Sequence, residues 1–200
     1  MANPILLIVA GCNGSGKSSF SRALSPNNSF PHDYDLVFLD FYNSLIDSEL
    51  RERMAHNLSS ENLRTSIETA IAQKENFCYE TNFNSTPLYW PTIFKQEGYR
   101  LELAFFCLDS MDKAKERVRI RVENGGHFVP DQEIEERYRL GYKHLNENWK
   151  FFDAIHLFET SEYDHEPKHL LTIEQNDLVI LEGFPEYLNI LIPNIANRVK

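Results

Sequence analysis

Short apolar runs alternate along the chain with segments of helical period. The runs fall at Ile5–Ala10, Leu36–Leu39, Phe77–Tyr79, Tyr99–Leu108 and Ala154–Phe158. Ile5–Ala10 shows no polar alternation, which suits a strand buried on both faces of a parallel sheet. Between the runs, Ser18–Leu24 reads as a helix stopped by Ser25-Pro26-Asn27-Asn28. Residues 44–57 and 59–74 read as two further helices, the second capped by Ser59-Ser60-Glu61-Asn62 and carrying Leu63, Ile67, Ala70 and Ile71 on one face. Pro87–Gln96 is helical up to Gly98, and Asp109-Ser110 cap a basic helix from Met111 to about Asn124. After Gly125-Gly126, a helix opened by Pro130 or Asp131 keeps Ile134, Tyr138, Tyr142, Leu145 and Trp149 on one side. Leu170–Ile173 and Leu178–Leu181 form a small hairpin, and a short helix follows Pro185. The expected fold is α/β: a mostly parallel five-stranded sheet, helices on both faces, a C-terminal hairpin, and one domain over residues 1–200 with a helical flap at roughly 111–149.

The first strand ends in Gly11-Cys12-Asn13-Gly14-Ser15-Gly16-Lys17-Ser18, a full G-x-x-x-x-G-K-[ST] phosphate loop between strand and helix. This makes the fold a P-loop NTPase or kinase fold. Backbone N–H groups of such a loop converge on phosphate, and the helix beginning near Lys17 adds its positive end. Gly11, Asn13, Gly14, Ser15, Gly16, Lys17, Ser18 and Ser19 are therefore expected to hold ATP, with Lys17 on the outer phosphates and the Ser18 hydroxyl on Mg2+.

Ligands of open parallel sheets lie beyond the carboxyl ends of the strands, where this reading places Asp40 and Glu80. Asp40 is expected to be the general base for an attacking hydroxyl, and Glu80, Thr81 and Asn82 to hold a polar substrate. Five basic residues, Lys113, Lys115, Arg117, Arg119 and Arg121, fall within nine positions. Arg117 and Arg121 flank the apolar Ala114, Val118 and Val122 stripe and are expected to close over the transferring phosphoryl group, whereas Arg119 falls on the solvated side. Gly125–Pro130 is a hinge whose His127 can contact substrate, and Arg137 can reach the cleft. The nucleotide base is expected after the fifth strand, around Thr160–Glu162.

Composition narrows the partners. A net charge of −10 over 200 residues argues against a broad nucleic-acid surface. Three cysteines without metal-type spacing read as free thiols of a cytoplasmic protein, and no apolar run is long enough for a membrane.

Together with the phosphate loop, Asp40 and Glu80-Thr81-Asn82-Phe83, the segment Arg117–Tyr138, of form R-V-x-x-R-V-x-x-G-G-H-x-V-P-x-x-x-I-x-x-R-Y, resembles the zeta toxin family of P-loop kinases over roughly residues 4–160. The resemblance implies phosphorylation of the 3'-hydroxyl of the amino sugar of UDP-N-acetylglucosamine at the expense of ATP, and inhibition by a small antitoxin protein. It matches Lys17 and Ser18 to nucleotide and metal, Asp40 to the base and Glu80 to a sugar contact. His127 falls where the larger toxins carry their second flap arginine, so either Arg137 supplies that charge or the phosphate chemistry differs. A kinase of a nucleoside, sugar acid or nucleic-acid end, and a non-kinase ATP-dependent binding module, remain alternatives.

Overall fold

The structure, a computed structural model, describes residues 3–26, 29–126 and 128–199. Strand β1 (Ile5–Ala10) leads into helix α1 (Lys17–Leu24); helices α2 (Tyr34–Ser44) and α3 (Arg51–Gln73) precede strand β2 (Phe77–Thr81). Helix α4 (Tyr89–Gln96) then leads to β3 (Arg100–Cys107), and α5 (Met111–Glu123) and α6 (Asp131–Asn148) lead to β4 (Ala154–Glu159). The hairpin β5 (Lys168–Glu174) and β6 (Asp177–Leu181) is followed by α7 (Glu186–Leu191) and α8 (Pro193–Val199). Among the described residues the sheet has six strands rather than five, in the order β2-β1-β3-β4-β5-β6. The first four are parallel, and the hairpin extends the same sheet antiparallel to β4.

The expected strand at Leu36–Leu39 is helix α2 instead. A four-residue apolar run carries no period of its own, and its N-terminal flank decides the matter. The Asp33 carboxylate accepts from the Asp35 and Leu36 N–H groups, satisfying two donors at the helix start, and Asp35 in the first turn suits the positive end. The expected break before Ser59 is also absent. Ser59 lies buried within α3 and donates its hydroxyl to the Ala55 carbonyl, so it serves the helix interior rather than a cap.

The larger core lies on one face of the sheet and takes in Ile67 of α3, Phe94 of α4, Val118 of α5 and Leu145 of α6. On the other face, Phe20 and Leu24 of α1 cover Leu7, Val9, Cys78, Ala104 and Phe106. Helix α6 is tied to the end of β3 by Tyr138 and Tyr142, whose hydroxyls both donate to the Leu108 carbonyl. The sheet order sets β1, with its phosphate loop, between the carboxyl end of β2 on one side and those of β3 and β4 on the other. Among the described residues no helix is long and apolar enough to cross a membrane.

Candidate active site

The loop after β1 curls over the start of α1 at the floor of a cleft of about 860 Å³. Two of its glycines are there because the chain passes too close for a side chain. A Cβ on Gly11 would lie 2.7 Å from the Phe106 carbonyl oxygen, and one on Gly14, at φ +79°, would lie 2.8 Å from that of Ala114. Gly14 thus lets the loop touch α5. Lys17 donates its ammonium to the carbonyls of Gly11 (2.7 Å) and Cys12 (3.0 Å) and, at 3.3 Å, to the Asn82 side-chain oxygen. Desolvation lowers its pKa, opposed by the carboxylates of Glu80, Asp35 and Asp33.

Glu80, at the end of β2, accepts from the hydroxyls of Ser18 (2.7 Å) and Ser21 (2.7 Å). Asp33 accepts from the same Ser18 hydroxyl at 2.9 Å. Its position is fixed by the main chain: His32 pairs with Tyr79 as a one-residue parallel strand, donating to the Cys78 carbonyl and accepting from the Glu80 N–H. Burial raises the Glu80 pKa above the ordinary carboxylate value, outweighing the two serine hydrogen bonds. Glu80 therefore binds a proton more readily in the folded than in the unfolded chain, and its contribution to stability, present at low pH, is lost as pH rises through the native pKa. Glu80→Gln, neutral throughout, is expected to raise the melting temperature of the nucleotide-free protein at neutral pH. That gain should shrink as thermal melts are repeated down to about pH 4, near the ordinary glutamate pKa.

Three arginines reach the cleft from α5 and α6. Arg117 donates to the Gly14 carbonyl at 3.2 Å, and its guanidinium lies 5.4 Å from the Tyr163 ring centre. Its Nη2 is buried without a partner among the described residues. A buried donor left in that state is costly, and an anion at the loop would satisfy it. Arg137 donates to the buried Asn13 side chain at 3.0 Å and pairs with Glu133 at 2.7 Å. Arg121 also lines the cleft. Lys17, Arg117, Arg121 and Arg137 thus border one space although they lie up to 120 positions apart in sequence.

Asp40 is not among the residues of this space. It lies on an exposed position of α2, because the segment that was expected to carry it as a strand is a helix, and its assignment as base is corrected accordingly. The same helix brings Asp33 and Asp35 to the cleft at its first turn, two residues the reading of the sequence passed over. The signal for them was local: Pro31-His32-Asp33, a rigid entry followed by a strong N-cap residue. Both Asp33 oxygens are engaged, one by α2 and one by Ser18. The Asp35 carboxylate forms no hydrogen bond or ion pair among the described residues while lining the cleft within electrostatic reach of Lys17. Thr81 lines the cleft, with its side-chain oxygen accepting from the Phe83 N–H, and Asn82 faces Lys17. His127 lies outside the described residues. Thr160, Glu162 and Tyr163 form the opposite rim, beyond β4.

The model of the Zeta toxin family matches residues 1–163. No curated protein matches the sequence. Among solved structures, the chain is similar to one in the Pnkp1/Rnl/Hen1 RNA repair complex, at TM-score 0.56 and 23% identity, covering 76% of this chain and 47% of that one. It is similar to one in the PezAT chromosomal toxin-antitoxin system of Streptococcus pneumoniae, at TM-score 0.62 and 13% identity, covering 82% and 71%. A third, in the AvrRxo1-ORF1:ORF2 complex with ATP, has TM-score 0.69 and 12% identity, covering 96% and 64%. At these identities the likenesses show the fold, and this chain spans about half the length of the RNA-repair chain.

Proposed function

The chain belongs to the zeta toxin family, and from that premise we propose that it is an ATP-dependent kinase acting on a hydroxyl of a small polar molecule. One observation carries the reading: Lys17, Arg117, Arg137 and the unengaged Asp35 carboxylate line a single cleft around the phosphate loop. The ATP phosphates lie on the loop, with Lys17 and the arginines donating to the oxygens that gain charge during transfer. Asp35 accepts the proton of the acceptor hydroxyl. The acceptor oxygen bonds to the γ-phosphorus while the bond from that phosphorus to the β–γ bridging oxygen breaks, and ADP leaves. Mg2+ suits the corner where two carboxylate oxygens approach the Ser18 hydroxyl, because its one hydrogen can serve only one of them and hard oxygen ligands are what the ion prefers. Ser18 would hold it, flanked by Asp33 and Glu80; when bound it neutralises phosphate charge. Helices α5 and α6, which carry the arginines, form the flap.

UDP-N-acetylglucosamine, the acceptor implied by family resemblance, is the first compound to assay. Protein with Mg·ATP labelled at the γ-phosphate is expected to place label in a stable phosphomonoester of an added hydroxyl compound, and Lys17→Ala is expected to lose this. Release of inorganic phosphate alone, whatever acceptor is offered, would favour the ATP-dependent binding module instead. The two-component PezAT and AvrRxo1 assemblies support an inhibitory protein partner for this chain as well.

A further inference from the structure

We infer that Tyr163 is a positioning residue for phosphoryl transfer, its ring holding the Arg117 guanidinium beside the phosphate loop; this rests on the kinase reading above. The two residues come from separate parts of the fold. Arg117 stands on α5, whereas Tyr163 follows β4 at the opposite rim of the cleft. The guanidinium carbon lies over the Tyr163 ring, 5.4 Å from its centre, inside the distance at which a ring face attracts a cation. Nη1 of the same arginine donates to the Gly14 carbonyl at 3.2 Å, so the side chain is held from the loop and from the rim at once.

The chain on either side of Tyr163 is pinned. Thr160 donates its N–H (2.9 Å) and its hydroxyl (2.8 Å) to the Cys107 carbonyl at the end of β3, and the Ser161 hydroxyl oxygen accepts from the Asp109 N–H at 2.9 Å. Just beyond, the backbone turns through Asp164 at φ +60°, and His165 Nδ1 lies 2.9 Å from the Tyr163 carbonyl oxygen. Yet the side chain fills no core: Tyr163 is 60% exposed, and its hydroxyl has no hydrogen-bond partner among the described residues. A ring suits the task better than an acid. The carboxylates of Glu162, Asp164 and Glu166 line the same rim, and none pairs with Arg117 among the described residues. A carboxylate would neutralise the guanidinium and occupy the N–H groups that phosphate needs. The ring face holds the cation and leaves the buried Nη2, unpartnered among the described residues, for the transferring group.

The test compares Mg·ATP turnover by wild type, Tyr163→Leu, Tyr163→Phe, Arg117→Ala and the Arg117→Ala/Tyr163→Leu double variant. It is read as γ-phosphate transfer to UDP-N-acetylglucosamine or, where that compound is not accepted, to water. Tyr163→Leu should lower kcat about threefold to tenfold, the effect of losing one partly exposed cation–π contact, with the KM for ATP changed by less than about twofold. Tyr163→Phe should keep nearly all of the wild-type kcat, because the hydroxyl has no partner to lose among the described residues. In the Arg117→Ala protein the same leucine should change kcat by less than about twofold, since the ring has nothing left to hold. A fall of equal size in both backgrounds would overturn the inference, as would a raised KM for ATP with kcat intact, the mark of a ring that stacks on the nucleobase instead. So would a Tyr163→Leu protein that works as wild type does. Wild type that turns over no ATP in either assay would bring down the kinase reading itself, and this inference with it.

Discussion

Asp35→Asn is expected to lower kcat for phosphoryl transfer by about 10²–10⁴-fold, the usual contribution of a positioned general base, with the affinity for Mg·ATP nearly unchanged. The amide has the size of the carboxylate and leaves the first turn of α2 in place; it costs the helix only about 0.3–1 kcal/mol of favourable interaction with its positive end. What it removes is the proton acceptor. Asp33 cannot substitute without giving up its hydrogen bonds to the α2 backbone or to Ser18. Single-turnover measurement separates the chemical step from ADP release. Asp40→Asn is the matched control, because Asp40 is exposed on the same helix away from the cleft, and it should behave as wild type. An Asp35→Asn protein that keeps more than about a tenth of the wild-type single-turnover rate would mean the proton goes elsewhere.

Arg117→Ala should reduce kcat by about 10²–10³-fold, as expected for loss of one donor to the charge of the transition state. The side chain is already held against the loop by Gly14 and faces the Tyr163 ring, with one nitrogen buried and unpartnered among the described residues, so little reorganisation stands between this arrangement and contact with phosphate. Arg117→Lys should recover only a small part of the loss, since an ammonium group lacks the planar fork that serves Gly14 and phosphate together. A change below about fivefold in Arg117→Ala would shift the burden to Arg121 and Arg137.

Much of this arrangement was legible in the sequence for physical reasons that differ from place to place. The phosphate loop is local: strand, glycines and Lys-Ser stand consecutively, and nothing distant is needed to recognise them. Strand β1 is buried by its neighbours and shows it as an unbroken apolar run, while β3 and β4 are mostly apolar, interrupted by Glu102 and His156. The segment at Leu36–Leu39 failed because a short apolar run is equally consistent with a half-buried helix, and only Phe38 of α2 is fully buried. That single error placed the expected base at Asp40, five residues beyond Asp35, the proposed base in the first turn of α2. Both strands of the hairpin were expected; that they join the main sheet was not, because this depends on contacts between β4 and β5, which no local pattern encodes. The grouping of Lys17, Arg117, Arg121 and Arg137 around one space likewise emerges only when residues from α1 to α6 are brought to one place.

The short pairing of His32 with the edge of β2 has a genetic corollary. Since it is made by peptide groups, most replacements at position 32 should keep it in place and give up only the 3.1 Å side-chain contact of His32 with Asn62 of α3. Proline is the exception. It lacks the hydrogen that meets the Cys78 carbonyl, so His32→Pro would loosen the whole entry to α2, crippling the enzyme from a residue that touches neither nucleotide nor acceptor.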